Sequence, residues 1–150
     1  MIDKQKYPPL NLPKADIKLS QNQIWDVLRL KYVKLTPEEW VRQHFIHYLI
    51  KLGYSKNLMA SEKIVKYNNL SKRCDIVAFN NKNETLLIVE CKAPHIKLTQ
   101  DTFYQVAKYN AVLNAKYLIL TNGINHIISL VDKVNNELVF IEEIPHRIDT

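Results

Sequence analysis

Two short apolar runs, residues 76–79 and 86–89, flank the polar stretch Asn80-Asn81-Lys82-Asn83. Apolar runs on either side of an asparagine-rich turn predict a β-hairpin. Asp75 opens its first strand and Glu90 closes its second, so folding back brings two carboxylates together. Glu90 and Lys92 are two apart and point to one strand face. One end of the hairpin thus gathers two acids and an ammonium beside hydrophobic strands.

The rest of the pattern supplies a frame for that hairpin. Residues 1–20 contain Pro8, Pro9 and Pro13 and predict an extended arm. Alternation over 24–35 predicts a single strand. Thr36 is a good N-cap, Pro37 suits the first helical position, and Glu39 completes a capping box, which predicts a helix over 36–52 ending near Gly53. Its apolar stripe is Val41, Phe45, Leu49 and Leu52. A first core strand is expected over 62–67, with Asn68-Asn69 as its turn. Pro94 stops the strand that carries Lys92. A second helix is expected over 99–114, with Phe103, Val106, Asn110 and Leu113 on one face, and Gln105 and Tyr109 stacked four apart on another stripe. Residues 117–120 read as a strand. A strand-helix-strand unit implies a parallel right-handed crossover, so this strand should lie beside the Glu90 strand. Runs 126–131 and 138–142 around Asn135-Asn136 predict a last hairpin. The fold expected is α/β: a central mixed sheet flanked by helices, in the order αβββαβ plus a C-terminal hairpin. Its organisation is an arm (1–20), a single domain (21–145) and a tail (146–150).

Composition narrows the class. With 150 residues, 47% of them hydrophobic, the chain can bury one real core. No apolar run is long enough to span a bilayer, and the N-terminus lacks the apolar segment of a signal peptide, so the expected setting is the cytoplasm with no membrane partner. Cys74 and Cys91 neighbour the two carboxylates and read as buried fillers; no paired Cys/His spacing suggests zinc. The net charge of +6 is uneven: residues 1–72 hold 13 Lys or Arg against 6 Asp or Glu, whereas residues 73–150 hold 8 against 9. A basic half suits a polyanion such as DNA.

Facing carboxylates repel unless they share a proton or a cation. An all-oxygen donor set suits a hard ion, Mg2+ or Mn2+. A lysine beside such an ion can hold a water, and the set then reads as a hydrolytic site for a phosphodiester. Glu38 falls on the helical stripe of Val41 and Phe45, so Glu38 rather than Glu39 is expected to be the third acidic site residue. Arg42, one turn on, either pairs with Glu38 or touches a phosphate. Arg73 shares a strand face with Asp75 and is expected to reach the site, with contact to DNA.

The segments Thr36-Pro37-Glu38-Glu39-Trp40-Val41-Arg42-Gln43, Arg73-Cys74-Asp75, Val89-Glu90-Cys91-Lys92-Ala93-Pro94, Gln105-Val106-Ala107-Lys108-Tyr109 and Thr121-Asn122-Gly123 occur in that order. Together they resemble the N-terminal nuclease domain of type I restriction enzyme R subunits, within the PD-(D/E)XK nuclease superfamily, over residues 24–142. No proline precedes Asp75, which departs from the superfamily signature. The resemblance implies a restriction-endonuclease-like core and a Mg2+- or Mn2+-dependent DNA endonuclease. Asp75, Glu90 and the Cys91 backbone carbonyl would hold the ion, Lys92 would orient the attacking water, Glu38 would assist, and Gln105 and Tyr109 would face substrate or metal-bound waters.

With Gly53 and Gly123 as its only glycines, the chain has no phosphate-cradling loop and no translocating motor is expected in it. The resemblance implies other restriction-modification or helicase subunits as partners besides DNA. A homodimer that cuts both strands is another expected assembly. The alternative functions are a DNA-binding module that does not cut, and a nuclease subunit active only within a larger restriction complex.

Overall fold

The computed structural model describes residues 2–147; Met1 and residues 148–150, hence most of the expected tail, lie outside them. The side chains of Tyr67 and of residues 109–113 also lie outside the description.

A six-stranded sheet forms the centre. Its strands are β4 (Met59–Tyr67), β5 (Leu70–Phe79), β6 (Thr85–Cys91), β7 (Tyr117–Thr121), β8 (His126–Asp132) and β9 (Glu137–Ile141), in that spatial order. All neighbours are antiparallel except β6 and β7, which are parallel and joined through α2 (Gln100–Leu113). A hairpin of two residues could not connect parallel neighbours, so the chain needs the helix as its return path. With α1 (Pro37–Lys51) ahead of β4, the order is αβββαβ plus a hairpin, as the pattern predicts. Several boundaries move. The first core strand begins at Met59 rather than 62, and Asp75 lies within β5 rather than at its start.

The two sheet faces carry separate cores. On one, Val41, Phe45, Ile46 and Leu49 of α1 pack on Ile76, Leu87, Val89, Cys91 and Ile119. On the other, Phe103 and Val106 of α2 pack on Cys74, Val77, Ile88, Leu118 and Leu120. Burying each of these large apolar side chains stabilises by about 1.5–3 kcal/mol. The period of α1 is why it docks here: Val41, Phe45 and Leu49, four apart, are all fully buried. Thr36 caps the helix, its hydroxyl accepting the Glu39 N–H at 3.0 Å.

The expected single strand over 24–35 is instead a hairpin. β1 (Leu19–Ser20), β2 (Gln23–Asp26) and β3 (Lys31–Lys34) form a separate antiparallel sheet. The chain turns after Asp26, whose carboxylate accepts the N–H groups of Leu28 and Arg29, and Leu30 takes a φ of 54°. An acidic side chain that satisfies backbone donors two and three residues on is a turn signal that alternation hides.

The N-terminal segment turns over residues 3–7, where the Tyr7 N–H donates to Asp3 O, and is then tied to the core. Pro8 O accepts the Trp40 indole N–H, Asn11 N–H donates to Gly123 O, and Leu10 and Leu12 pack on the α1-side core. Gly123 has a φ of 85°, and a Cβ there would lie 2.8 Å from Leu10 Cδ2, so the turn requires glycine for both conformation and approach.

Candidate active site

The β5–β6 ladder ends at Ile76 opposite Val89. One step further, where Asp75 and Glu90 would pair, the backbone ladder gives way to a side chain. Asp75 Oδ2 accepts the Cys91 N–H at 2.7 Å. Strand alternation also breaks here: Cys74 lies in the α2-side core and Ile76, two residues on, lies in the α1-side core. On β4 the ladder passes from Ser61–Ile76 to Lys63–Cys74, and the intervening Glu62 has a φ of 51°. At this irregularity the Asp75 carboxylate meets the Cys91 N–H and, at 3.4 Å, Arg42 of α1.

Glu90 stands beside it. Burial, then the neighbouring Asp75 charge, pushes its carboxyl up to about 7, against the pull of Lys72 and Lys92. Its Oε2 is buried without a hydrogen-bond partner; the Lys72 ammonium is 3.7 Å away. A buried carboxylate oxygen with no donor is uncommon in folded proteins. The Asp75 carboxyl is also raised by burial, opposed by the Cys91 N–H and by Arg42, Lys72 and Lys92. Lys72 is a participant that motif reading missed. Its signal was two-residue spacing from Cys74 on a strand next to the Glu90 strand, and that cannot be weighed without the register.

Glu38 and Glu39 divide differently from expectation. Glu39 is the buried one, and its carboxylate accepts from Arg29, Arg42 and Gln43, each at 3.0 Å. The Glu38 side chain is 47% exposed. Helical period alone put Glu38 on the inward stripe; the ion pairs available to Glu39 decided which of the two is enclosed. Glu38 nevertheless faces the carboxylate pair. Burial and the Asp75 charge raise its carboxyl, while Arg42 and Lys92 draw it down.

Arg42 joins these groups. The residue is 3% exposed, and its guanidinium meets Glu39 at 3.0 Å, Glu62 at 3.2 Å, Glu38 at 3.3 Å and Asp75 at 3.4 Å. Of the two expectations for Arg42, the pairing with Glu38 is present, and the burial leaves little of it for a phosphate. Arg29 extends the network to Asp26, Glu39 and Glu62. Arg73 turns outward, exposed, and pairs with Glu62 at 2.6 Å rather than with Asp75. Gln105 is exposed on α2 and has no hydrogen bond to either carboxylate; the side chain of Tyr109 is outside the description.

The cysteines are fillers. Cys74 and Cys91 are buried free thiols, and burial pushes Cys74 up to about 11 and Cys91 higher than its ordinary value. A cleft of about 570 Å³ lies alongside, lined by Arg29, Val33, Lys34, Glu38, Arg42 and Ala93 among others. A larger cleft of about 680 Å³, between Val65, Asn80 and Lys133, contains none of the clustered acids.

Among the described residues no three His, Cys, Asp or Glu side chains gather closely enough to hold a metal ion by themselves. The pair Asp75 and Glu90 still fits a hard cation. Its donors are all oxygen, one of them buried without a hydrogen bond and with only the Lys72 ammonium at 3.7 Å, and Mg2+ commonly takes one or two carboxylates and keeps its remaining waters.

A family model described as "Type I restriction enzyme R protein N terminus" matches residues 37–145. The chain belongs to this family. That match includes every candidate residue of the site from Glu38 to Tyr109. Among solved structures, this R-protein N-terminal domain is similar to the fragment structure of a putative HsdR subunit of a type I restriction enzyme from Vibrio vulnificus YJ016. The identity is 21% and the TM-score 0.46, over 65% of this chain and 21% of that one. The chain thus spans about a fifth of the length of that relative. A comparison with curated proteins gives no match. Among the described residues no helix is long and apolar enough to cross a membrane.

Proposed function

We propose that this domain is a metal-dependent endodeoxyribonuclease that hydrolyses phosphodiester bonds as the nuclease part of a restriction complex. The observation that carries the reading is the Asp75–Glu90 juxtaposition, with Glu90 Oε2 buried and lacking any hydrogen-bond donor. Two acids held together this way keep a place for positive charge. Asp75, Glu90 and the Cys91 backbone carbonyl would hold Mg2+ or Mn2+. When bound, the ion would supply Lewis acidity toward the phosphodiester and acidify a water.

The chain's own groups would do the rest. The Cys91 N–H fixes the Asp75 carboxylate, and Arg42 balances its charge from the α1 side. Lys92 would orient the attacking water and offset charge on the phosphorane. Glu38, near Lys92, would help position a second ion or a metal-bound water. Gln105 and Tyr109 on α2 would steady the strand or the waters, and the exposed Arg73 would contact the DNA backbone. DNA and other restriction-modification or helicase subunits are the partners this reading implies, in the cytoplasm, where two free thiols persist.

The test is nicking of supercoiled plasmid with Mg2+ or with EDTA, comparing the wild-type protein with Asp75→Ala and Glu90→Gln. Metal-dependent nicking lost in both variants supports the assignment. Equal nicking by all three proteins would remove it. Salt-sensitive DNA binding without nicking by the isolated domain, with nicking restored on adding the remaining subunits, would select the assembly-dependent form.

A further inference from the structure

The small sheet β1–β3 has an inner and an outer face. Ile24 and Asp26 point inward and are fully buried, and Asp26 bonds Arg29 and Ser61. The outer face is a grid of two rows. Trp25 pairs with Tyr32, and the Trp25 N–H donates to Lys18 O, so one row is Lys18, Trp25, Tyr32. Ser20 pairs with Gln23 and Gln23 with Lys34, so the second is Ser20, Gln23, Lys34. An aromatic pair therefore sits between lysines at opposite corners.

The rings of Trp25 and Tyr32 lie 5.1 Å apart at 71°, and Tyr32 is 40% exposed. An edge-to-face contact covers one ring face of the pair and leaves other flat surface open. Two lysines stand on this face, Lys18 and Lys34, both exposed, whereas the one acid of the sheet, Asp26, is on the inner face, buried and paired. Lys34 also lines the cleft that contains Glu38 and Arg42.

We propose that this face is a stacking platform for a single-stranded polynucleotide. Base faces inside a duplex are already stacked on one another, so aromatic rings with flanking lysines select unpaired bases. The proposal rests on the reading of the domain as a nucleic-acid enzyme and adds a second surface for unpaired strand.

The probe is fluorescein-labelled oligo(dT) in EDTA, read by anisotropy and by tryptophan emission. Trp40, with its indole N–H on Pro8 O and its ring against His44, serves as the internal reference. Tyr32→Ala should weaken binding about tenfold or more, the usual loss for one stacking ring. Tyr32→Phe should bind like the wild type, and Trp25→Phe should lose the quenching. The double variant Lys18→Ala, Lys34→Ala should flatten the salt dependence by a slope of about 1.4 with an unchanged melting temperature. Unchanged oligo(dT) affinity in Tyr32→Ala, or equal binding of a fully paired hairpin, would overturn the platform. The measurement needs no metal and no cleavage. Tyr32-dependent binding without nicking keeps the platform and removes the nuclease; nicking with Tyr32-independent binding does the reverse.

Discussion

The Cys91 backbone N–H donates to Asp75 Oδ2 at 2.7 Å, where the β5–β6 ladder would otherwise continue. That bond makes the position of the Asp75 carboxylate a property of the sheet and sets it beside Glu90. The candidate site is thus anchored to the main chain of the strand that carries Glu90 and Lys92.

Asp75→Ala should abolish metal-dependent nicking, by 100-fold or more in a plasmid assay. Stability should change by only about 1–2 kcal/mol in urea denaturation, the usual value of one side-chain hydrogen bond to the backbone. Arg42 keeps Glu38, Glu39 and Glu62 as partners in that variant. Asp75→Asn, which retains an acceptor for Cys91, should be inactive with even less effect on folding.

Stability in EDTA should fall as pH rises from about 4.5 to about 7. Glu90 is raised in the folded state from 4.5 to about 7, so in that window the native protein binds more protons than the unfolded chain. The whole effect is on the order of 3 kcal/mol at most. Asp75 and Glu38 are raised too and act with the same sign above their ordinary values. Asp26 and Glu62 are lowered and act oppositely: their contribution is present above the ordinary carboxylate range and is lost in acid. Urea melts across pH should resolve the slope, and Glu90→Gln should flatten it. The same variant should be as stable as the wild type or more so near pH 8, while failing to nick DNA.

Magnesium should raise the melting temperature, because an ion that binds only the folded pair stabilises it by mass action. The shift should grow from pH 6 to pH 8 as Glu90 gives up its proton. It should vanish in Glu90→Gln and in Asp75→Asn. A flat response of the wild-type protein over a millimolar titration at pH 8 would exclude this cation site.

Arg42→Ala should destabilise by about 3–5 kcal/mol in chemical denaturation, the usual consequence of stranding buried charges. Four carboxylates would lose a common partner. Arg42→Lys should recover part of this, since an ammonium lacks the planar fork that serves several acids together.

Gly123→Ala should cost about 1–3 kcal/mol, from a left-handed φ and a Cβ forced against Leu10 and Val41. The arm should loosen with it. Faster proteolysis near residue 10 would report that change, and an unaltered digestion pattern would count against the packing role of the arm.

Much of the fold was legible because local rules and tertiary structure agree. Thr36 and Pro37 mark the start of α1, and Val41, Phe45 and Leu49 define its buried stripe. The Asn-rich turns separate the strands, and a strand-helix-strand unit admits only a parallel pairing of β6 with β7. The β2–β3 hairpin was not legible, since alternating residues on both sides of a turn mimic one long strand. Its turn is closed by Asp26, which also binds Arg29.

Sequence by itself determined the elements from α1 to β9, their order and the meeting of Asp75 with Glu90, because periodicity and hairpin closure are local. Tertiary structure alone decided which charges are enclosed. Glu39 is buried and Glu38 is not, Arg42 serves four acids, Arg73 turns outward, and Lys72 approaches Glu90. The physical reason is desolvation: a charge leaves water only where partners from other elements are already in place. Spacing along α1 encodes the pairs of Arg42 with Glu38 and Glu39, but Arg29, Glu62 and Asp75 come from other elements, and no local spacing encodes those.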